Sequence, residues 1–218
     1  MITLAISRGR ILKEATVLLR KAGFSLNRIS NGSRKLIFEY PKDGLRILII
    51  RPTDVPPYVE YGAADCGIVG KDTLIEEKYD LYEPLDLSIG KCKLVVAGPK
   101  GFNLSSARIL RVATKYPRIA HEHFAKKGVS AEIVKLYGSI ELAPIVGLSD
   151  VIVDLSATGE TLRKNKLVEI ETIANITARL VVNRVSMKVK SNEIKGFIGR
   201  LKEVREIYRI IKVRDFNA

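Results

Sequence analysis

The stretch Asp154-Leu155-Ser156-Ala157-Thr158-Gly159-Glu160-Thr161-Leu162 carries the most informative chemistry in the chain. An apolar strand pattern precedes it, a helical pattern follows, and small residues crowd the turn between them. Backbone N–H groups at a helix start bind anions, and the helix dipole favours negative charge there. Thr158 and Thr161 add hydroxyl donors, and Gly159 lets a ligand approach the backbone. The pattern suits a cup for one phosphate. Asp154, at the carboxyl end of the strand, is placed to hold sugar hydroxyls. An ordinary capped strand-to-helix turn has the same local signature. The Gly-Lys-Ser/Thr ending of a P-loop is missing, which disfavours a nucleoside-triphosphate hydrolase.

A second stretch, Ser7-Arg8-Gly9-Arg10, also joins a strand to a helix. Two guanidinium groups beside a helix start can grip a polyphosphate by fork geometry. Arg34, in Ser33-Arg34-Lys35, and Arg51 add further guanidinium groups, although any one of them also fits a solvated surface. A third stretch, Tyr137-Gly138-Ser139-Ile140-Glu141-Leu142-Ala143-Pro144, leaves Glu141 near a strand-to-helix junction. There it can accept from a ribose hydroxyl or simply favour the first-turn dipole. His121 and His123 do not read as a metal site, because helix positions two apart point in different directions and no Cys or carboxylate set completes one. No Ser-His-Asp or Cys-His arrangement indicates covalent acyl chemistry.

The elements that must position these residues follow from periodicity. Residues 2–6 read as a buried strand, and Ile11, Leu12, Ala15, Leu18, Leu19 and Ala22 share a helix face that Gly23 ends. Residues 35–40 and 45–51 flank Pro41-Lys42-Asp43-Gly44, a hairpin signal. Asp54-Val55-Pro56-Pro57 starts a short helix with Asp54 as its cap. Further strands are expected at 65–70, 93–98, 109–113, 131–136, 150–154, 168–173 and 178–182. Helices are expected at 117–127 and near 160–165, with a last one capped by Ser191. Strands alternating with helices indicate an α/β architecture with a largely parallel sheet.

The chain has 218 residues and a formal charge of +13, with 46% apolar residues. That composition suits one large or two small folded domains and excludes a disordered chain, a collagen or a disulfide scaffold. No apolar run approaches a bilayer span, and the start lacks the features of a secretory signal. Cys66 and Cys92 form no metal or redox spacing, which fits a cytoplasmic setting. Residues 1–46 hold 10 Lys/Arg against 3 Asp/Glu, and residues 184–218 hold 10 against 4, while residues 47–183 are neutral with 17 of each. If the two ends share a lobe, that lobe attracts polyanions. The same excess also fits a Lys-rich solvated surface.

Together these segments resemble the ATP phosphoribosyltransferase family, in its short catalytic-subunit form, from about residue 2 to about residue 203. The likeness is carried by Ser7-Arg8-Gly9-Arg10-Ile11-Leu12, by Asp54 to Asp65, by Gly67-Ile68-Val69-Gly70-Lys71-Asp72, by Leu136 to Pro144, by Asp154 to Leu162, and by Ala178-Arg179-Leu180-Val181-Val182-Asn183-Arg184. The resemblance implies a two-lobed fold like periplasmic binding proteins, with the active site in the interdomain cleft. The first lobe would be residues 1–92 plus 177–218, and the second 93–176. It implies that N1 of ATP joins C1 of phosphoribosyl pyrophosphate with release of pyrophosphate, the first step of histidine biosynthesis.

Carried over by position, Ser156, Ala157, Thr158, Gly159, Glu160 and Thr161 would cup the 5-phosphate, and Asp154 and Glu141 would hold ribose hydroxyls. Arg10 and Arg34 would stabilise the departing pyrophosphate. Arg8, Gly9, Arg51 and Asp72 would line the ATP side. Mg²⁺ would be held mainly through substrate phosphates, with no dedicated protein metal site. Arg8 stands where the family usually has Lys, a cation of different geometry. The length fits forms that work with a histidyl-tRNA-synthetase-like regulatory subunit in a hetero-octamer; a homodimer, or a chain that acts without that partner, is the alternative. The tail from Ile207 to Ala218 extends past the resemblance. Two other classes compete. One is a non-catalytic anion- or nucleotide-binding protein of the same fold. The other, a nucleic-acid binder, rests on the charge alone and lacks any recognisable motif.

Overall fold

A computed structural model describes residues 1–29, 34–104 and 108–214, with side chains to residue 206. Ser33 and the end of the tail from Asp215 therefore lie outside the described residues. The chain forms β1 (Ile2–Ser7), α1 (Arg10–Lys21), β2 (Ile37–Tyr40), β3 (Leu45–Ile50), α2 (Val55–Glu60), β4 (Cys66–Gly70), α3 (Lys71–Glu77) and β5 (Tyr82–Asp86). It continues with β6 (Cys92–Pro99), β7 (Leu110–Thr114), α4 (Pro117–Lys126), β8 (Ala131–Lys135), α5 (Leu142–Ile145), β9 (Val151–Ser156), α6 (Glu160–Lys164) and β10 (Leu167–Ile176). It ends with β11 (Ala178–Val182), α7 (Arg184–Val189) and α8 (Ser191–Arg214). Among the described residues no helix is long and apolar enough to cross a membrane.

Two units result, Met1–Gly90 with Thr177–Ala218, and Lys91–Ile176. The first boundary falls two residues before the one expected from sequence, because Cys92 already pairs with Ile176 in the second sheet. Both basic ends of the chain fall in the first unit.

The first sheet runs β2-β3-β1-β4-β11-β5, with β1 parallel to β3 and β4. Successive side chains of a strand point to opposite faces. Leu4 and Ile6 of β1 accordingly join Leu12, Ala15, Leu18 and Leu19 of α1, while Ala5 joins Val55 and Val59 of α2. Ile194, Phe197 and Leu201 of α8 complete the α1 side of that core. The second sheet runs β10-β6-β9-β7-β8, with β7 parallel to β8 and β9.

Both sheets are mixed rather than largely parallel. Parallel pairing needs a crossover of a dozen or more residues. Only β2 and β3 are too close in sequence for one and form the expected hairpin, while β5, β6, β10 and β11, which border the two crossings between units, pair antiparallel although long connections separate them from their partners. Two expected caps also differ. Asp54 ends a 3-10 turn from Pro52 and makes no side-chain capping bond to α2. Ser191 is the first residue of α8, following α7, whose cap is Asn183 accepting from the Ser186 N–H at 2.8 Å.

A buried carboxylate ties the returning segment to the start of the chain. Asp65 accepts from the Thr3 N–H at 2.8 Å, the Ser186 hydroxyl at 2.7 Å and Lys190 Nζ at 2.8 Å. Burial alone would raise this carboxyl, but the bonds from Lys190, Thr3 and Ser186 outweigh it and hold it below its ordinary value. Asn183 Nδ2 meanwhile donates to Val59 O and Glu60 O at 2.8 and 3.0 Å. The end of α2 and the start of α7 are thereby held to the same edge.

Candidate active site

In the first unit, β1, β3 and β4 lie side by side and point the same way, so their carboxyl ends share one edge. The chain leaves β1 toward β3 on one side and later returns to β4 on the other. Ligands of open α/β sheets bind at such a switch point, outside the carboxyl ends of the strands. Ser7-Arg8-Gly9-Arg10 follows β1, Arg51 follows β3, and Lys71-Asp72 follows β4. The edge thus gathers Arg8, Gly9, Arg10, Arg51 and Asp72.

Their environments differ. Arg8 and Arg51 are exposed, and the Arg8 N–H donates to Ile50 O at 2.9 Å. Gly9 stands at the N-cap of α1 with φ of 89°, and no atom lies within 4 Å of where its Cβ would be. Arg10 donates from Nη2 to Gly90 O at 2.9 Å. Asp72 is buried, with Oδ1 only 2.1 Å from the place a Cβ on Gly70 would occupy, so it shapes the turn after β4 rather than facing solvent. Arg34 is exposed in the irregular stretch before β2, away from the strand ends in sequence.

In the second unit the carboxyl ends of β7, β8 and β9 likewise share an edge. Tyr137 to Glu141 leaves β8 there, and Ala157 to Gly159 leaves β9. Gly159 occupies the N-cap of α6 with φ of 71°, a left-handed conformation that favours glycine. Ser156 is buried, while Ala157, Thr158, Glu160 and Thr161 are exposed. The N-cap residue Gly159 has no side chain to cap α6, and the Glu160 N–H at its first position donates to the Thr158 hydroxyl at 3.4 Å. Because α6 has only 5 residues, its macrodipole is short, and the loop donors outweigh the helix. Asp154 is half-buried and its Oδ1 accepts from the Leu155 N–H at 2.8 Å. Glu141 occupies the N-cap position of α5, half-buried and without a side-chain capping bond.

Thr114, at the end of β7, organises this edge. Its hydroxyl donates to Val153 O at 2.7 Å and accepts from the Tyr116 N–H at 2.8 Å. Sequence reasoning missed it, and also missed Asp65 as the partner of Lys190, 125 residues away. Nothing local signals either. Among the described residues no group of three or more His, Cys, Asp or Glu is placed to hold a metal ion. His123 instead contacts Glu171 through Nε2 and packs edge-on against Phe124.

The profile of the family described as HisG, ATP phosphoribosyltransferase, matches residues 51–203. The chain belongs to this family. It is 56% identical over 206 residues to the ATP phosphoribosyltransferase 2 of Geobacter sulfurreducens, covering 93% of this chain and 97% of that one. It is 53% identical over 204 residues to the ATP phosphoribosyltransferase of Caldanaerobacter subterraneus. A solved ATP phosphoribosyl transferase (HisG:HisZ) complex from Thermotoga maritima superposes with a TM-score of 0.80 at 36% identity, covering 94% of this chain and 99% of that one. The periplasmic aliphatic sulphonate binding protein SsuA of Escherichia coli superposes with a TM-score of 0.64 at 13% identity, covering 98% of this chain and 75% of that one. That likeness shows the fold alone, the two-lobed α/β fold of periplasmic binding proteins. The segments that mark this member of the ATP phosphoribosyltransferase family in sequence are largely those at the two strand-end edges.

Proposed function

We propose that this chain joins N1 of the adenine of ATP to C1 of phosphoribosyl pyrophosphate, the first step of histidine biosynthesis. The N1 electron pair forms the new bond while the C1–oxygen bond breaks and pyrophosphate leaves with its electron pair. The observation that carries this is the sorting of the family segments largely onto two strand-end edges, one with hydroxyl and N–H donors beside carboxylates and one rich in guanidinium groups. Ser156 to Thr161 cup the 5-phosphate with N–H and hydroxyl donors, and Asp154 and Glu141 accept from ribose hydroxyls. Arg10, supported by Arg34, neutralises the charge that builds on the departing pyrophosphate. Arg8, Gly9 and Arg51 line the ATP side, with Asp72 holding the turn beside them.

No covalent intermediate forms on the protein. Its work is to orient two polyanions so that the reacting atoms meet. The donor set fits a Mg²⁺ ion bound chiefly by diphosphate oxygens and water, since such ions favour substrate phosphates over all-protein cages. When bound, the ion offsets negative charge on the leaving group. The relative from Thermotoga maritima is a HisG:HisZ complex. It supports a regulatory partner in a hetero-oligomer, which by the family resemblance is related to histidyl-tRNA synthetase, and the two free cysteines fit work in the cytoplasm.

Purified chain, with and without such a partner, is mixed with ATP, phosphoribosyl pyrophosphate and Mg²⁺, and pyrophosphatase is added to pull the reaction forward. Phosphoribosyl-ATP detected by absorbance and mass spectrometry is the expected result. Saturable substrate binding by calorimetry without product under either condition would overturn transfer in favour of a binder.

A further inference from the structure

Arg10 is gripped by more than its own helix. Its Nη2 donates to Gly90 O at 2.9 Å. One turn further along α1, Glu14 places Oε1 3.7 Å from Arg10 Nε. The other carboxylate oxygen, Oε2, accepts from the Gly90 N–H at 2.8 Å. A single residue thus offers its carbonyl to one side chain and its N–H to another, closing a ring through Arg10, Gly90 and Glu14. Gly90 is the last residue of the first unit before the chain crosses to the second. It is held close to α1, because a Cβ there would meet Ile11 Cγ1 at 3.1 Å.

The ring is poorly explained as a helix-stabilising device. In an i,i+4 pair the acid is better placed N-terminal to the base, and here the order is reversed. Both side chains are also substantially exposed, at 45% and 39%, where ion pairs contribute little. What the arrangement does is remove rotational freedom from a long side chain. Held at Nη2 and faced at Nε, the guanidinium keeps Nη1 without a partner among the described residues, available to an anion at the edge after β1.

We propose that Glu14 is a positioning residue for Arg10. It anchors Gly90 and flanks the guanidinium, so that Arg10 meets the departing pyrophosphate already oriented. The role rests on the assignment of Arg10 to that leaving group. A pre-oriented charge acts on the transition state more than on the bound substrate.

The test is a kinetic cycle of Glu14→Ala, Arg10→Ala and the double variant in the transfer assay, with Glu14→Gln as the conservative replacement. Glu14→Ala should lower kcat about tenfold while KM for phosphoribosyl pyrophosphate stays within about twofold. Glu14→Gln retains an acceptor for the Gly90 N–H and should recover part of the loss. In the Arg10→Ala background, Glu14→Ala should cost nothing further in kcat, which a general packing defect would not produce. Full multiplication of the two single effects, or an unchanged kcat in Glu14→Ala, overturns the role of Glu14 while leaving Arg10 in place. Normal turnover by Arg10→Ala overturns the assignment of Arg10 and the role of Glu14 with it.

Discussion

The two units present the same topological feature and fill it with different chemistry. In each, parallel strands end along one edge, and the loops leaving them carry the family segments. In the second unit that edge offers small residues and hydroxyls, Ala157, Thr158, Gly159 and Thr161, beside the carboxylates of Glu141, Asp154 and Glu160. In the first it is cationic, with Arg8, Arg10 and Arg51 following β1 and β3. The difference suits the two jobs proposed for these edges. A phosphate monoester that stays attached through the reaction needs shape and donors whose interaction is the same throughout. A diphosphate that departs gains charge on its bridging oxygen, and a cation answers that gain. Uniform binding lowers KM, whereas binding that strengthens in the transition state raises kcat.

The sharpest way to break this division is Arg10→Ala. If the first edge serves the leaving group, kcat should fall on the order of 10²–10³-fold, the usual cost of removing a preorganised stabilising group. KM for phosphoribosyl pyrophosphate should move far less. Steady-state kinetics with both substrates varied would decide it, and a loss expressed only in KM would place Arg10 with the static contacts instead.

The next effect concerns how each edge is held. The first unit depends on a buried carboxylate, so Asp65→Ala should destabilise it by about 2–4 kcal/mol, the range for breaking a largely buried, hydrogen-bonded pair. Denaturant titration would report this as a lower midpoint. Because the Asp65 carboxyl lies below its ordinary value in the folded chain, its contribution is present above the unfolded carboxylate range. It is lost as pH falls through the lowered folded value. Asp65→Ala should therefore flatten the acid side of the stability profile as well as lower it.

Much of this arrangement was legible in the sequence because it rests on local pattern. The β1 and β9 runs, the strand-to-helix turn at Ala157 to Gly159, and the hairpin around Gly44 all follow from periodicity and turn chemistry. Strand direction was not legible, since an apolar run reads the same in either orientation, and the mixed sheets follow from how the chain enters and leaves each unit. Short elements such as α3, β5 and α7 also escaped, because 5 to 7 residues show too little periodicity. Contacts between distant residues left no trace: Lys190 reaches Asp65 across 125 positions. The ring at Gly90 was half visible, since Glu14 stands four residues after Arg10, but nothing in the sequence points to Gly90 as the third member.

A smaller effect sharpens the static side of the comparison. Thr161→Val removes a hydroxyl from the proposed cup and keeps its shape. A hydrogen bond to a charged group contributes about 1.5–3 kcal/mol, so KM for phosphoribosyl pyrophosphate should rise roughly tenfold or more. Turnover at saturation should hold. A fall in kcat with constant KM would mean that the cup tightens during the reaction, and the two edges would no longer differ in kind.

The smallest expected effect tests whether the units respond to acid separately. In the second unit Glu171 of β10 contacts His123 of α4 and Lys127 at its C-cap. Burial alone would raise its carboxyl, but the bonds from Lys127 and His123 prevail and hold it below the ordinary value. Its contribution too is present above the unfolded carboxylate range and lost as pH falls through the folded value. The group is partly exposed, so Glu171→Gln should cost under about 1 kcal/mol near neutrality. Amide hydrogen exchange at acidic and neutral pH gives the unit-by-unit answer. Glu171→Gln should weaken the pH dependence of protection in β10 and α4 while β1 and β4 keep theirs, and Asp65→Ala should do the reverse. If either variant shifts protection equally in both units, the chain opens as one cooperative body, and the contrast between the two edges is chemical only, with no counterpart in stability.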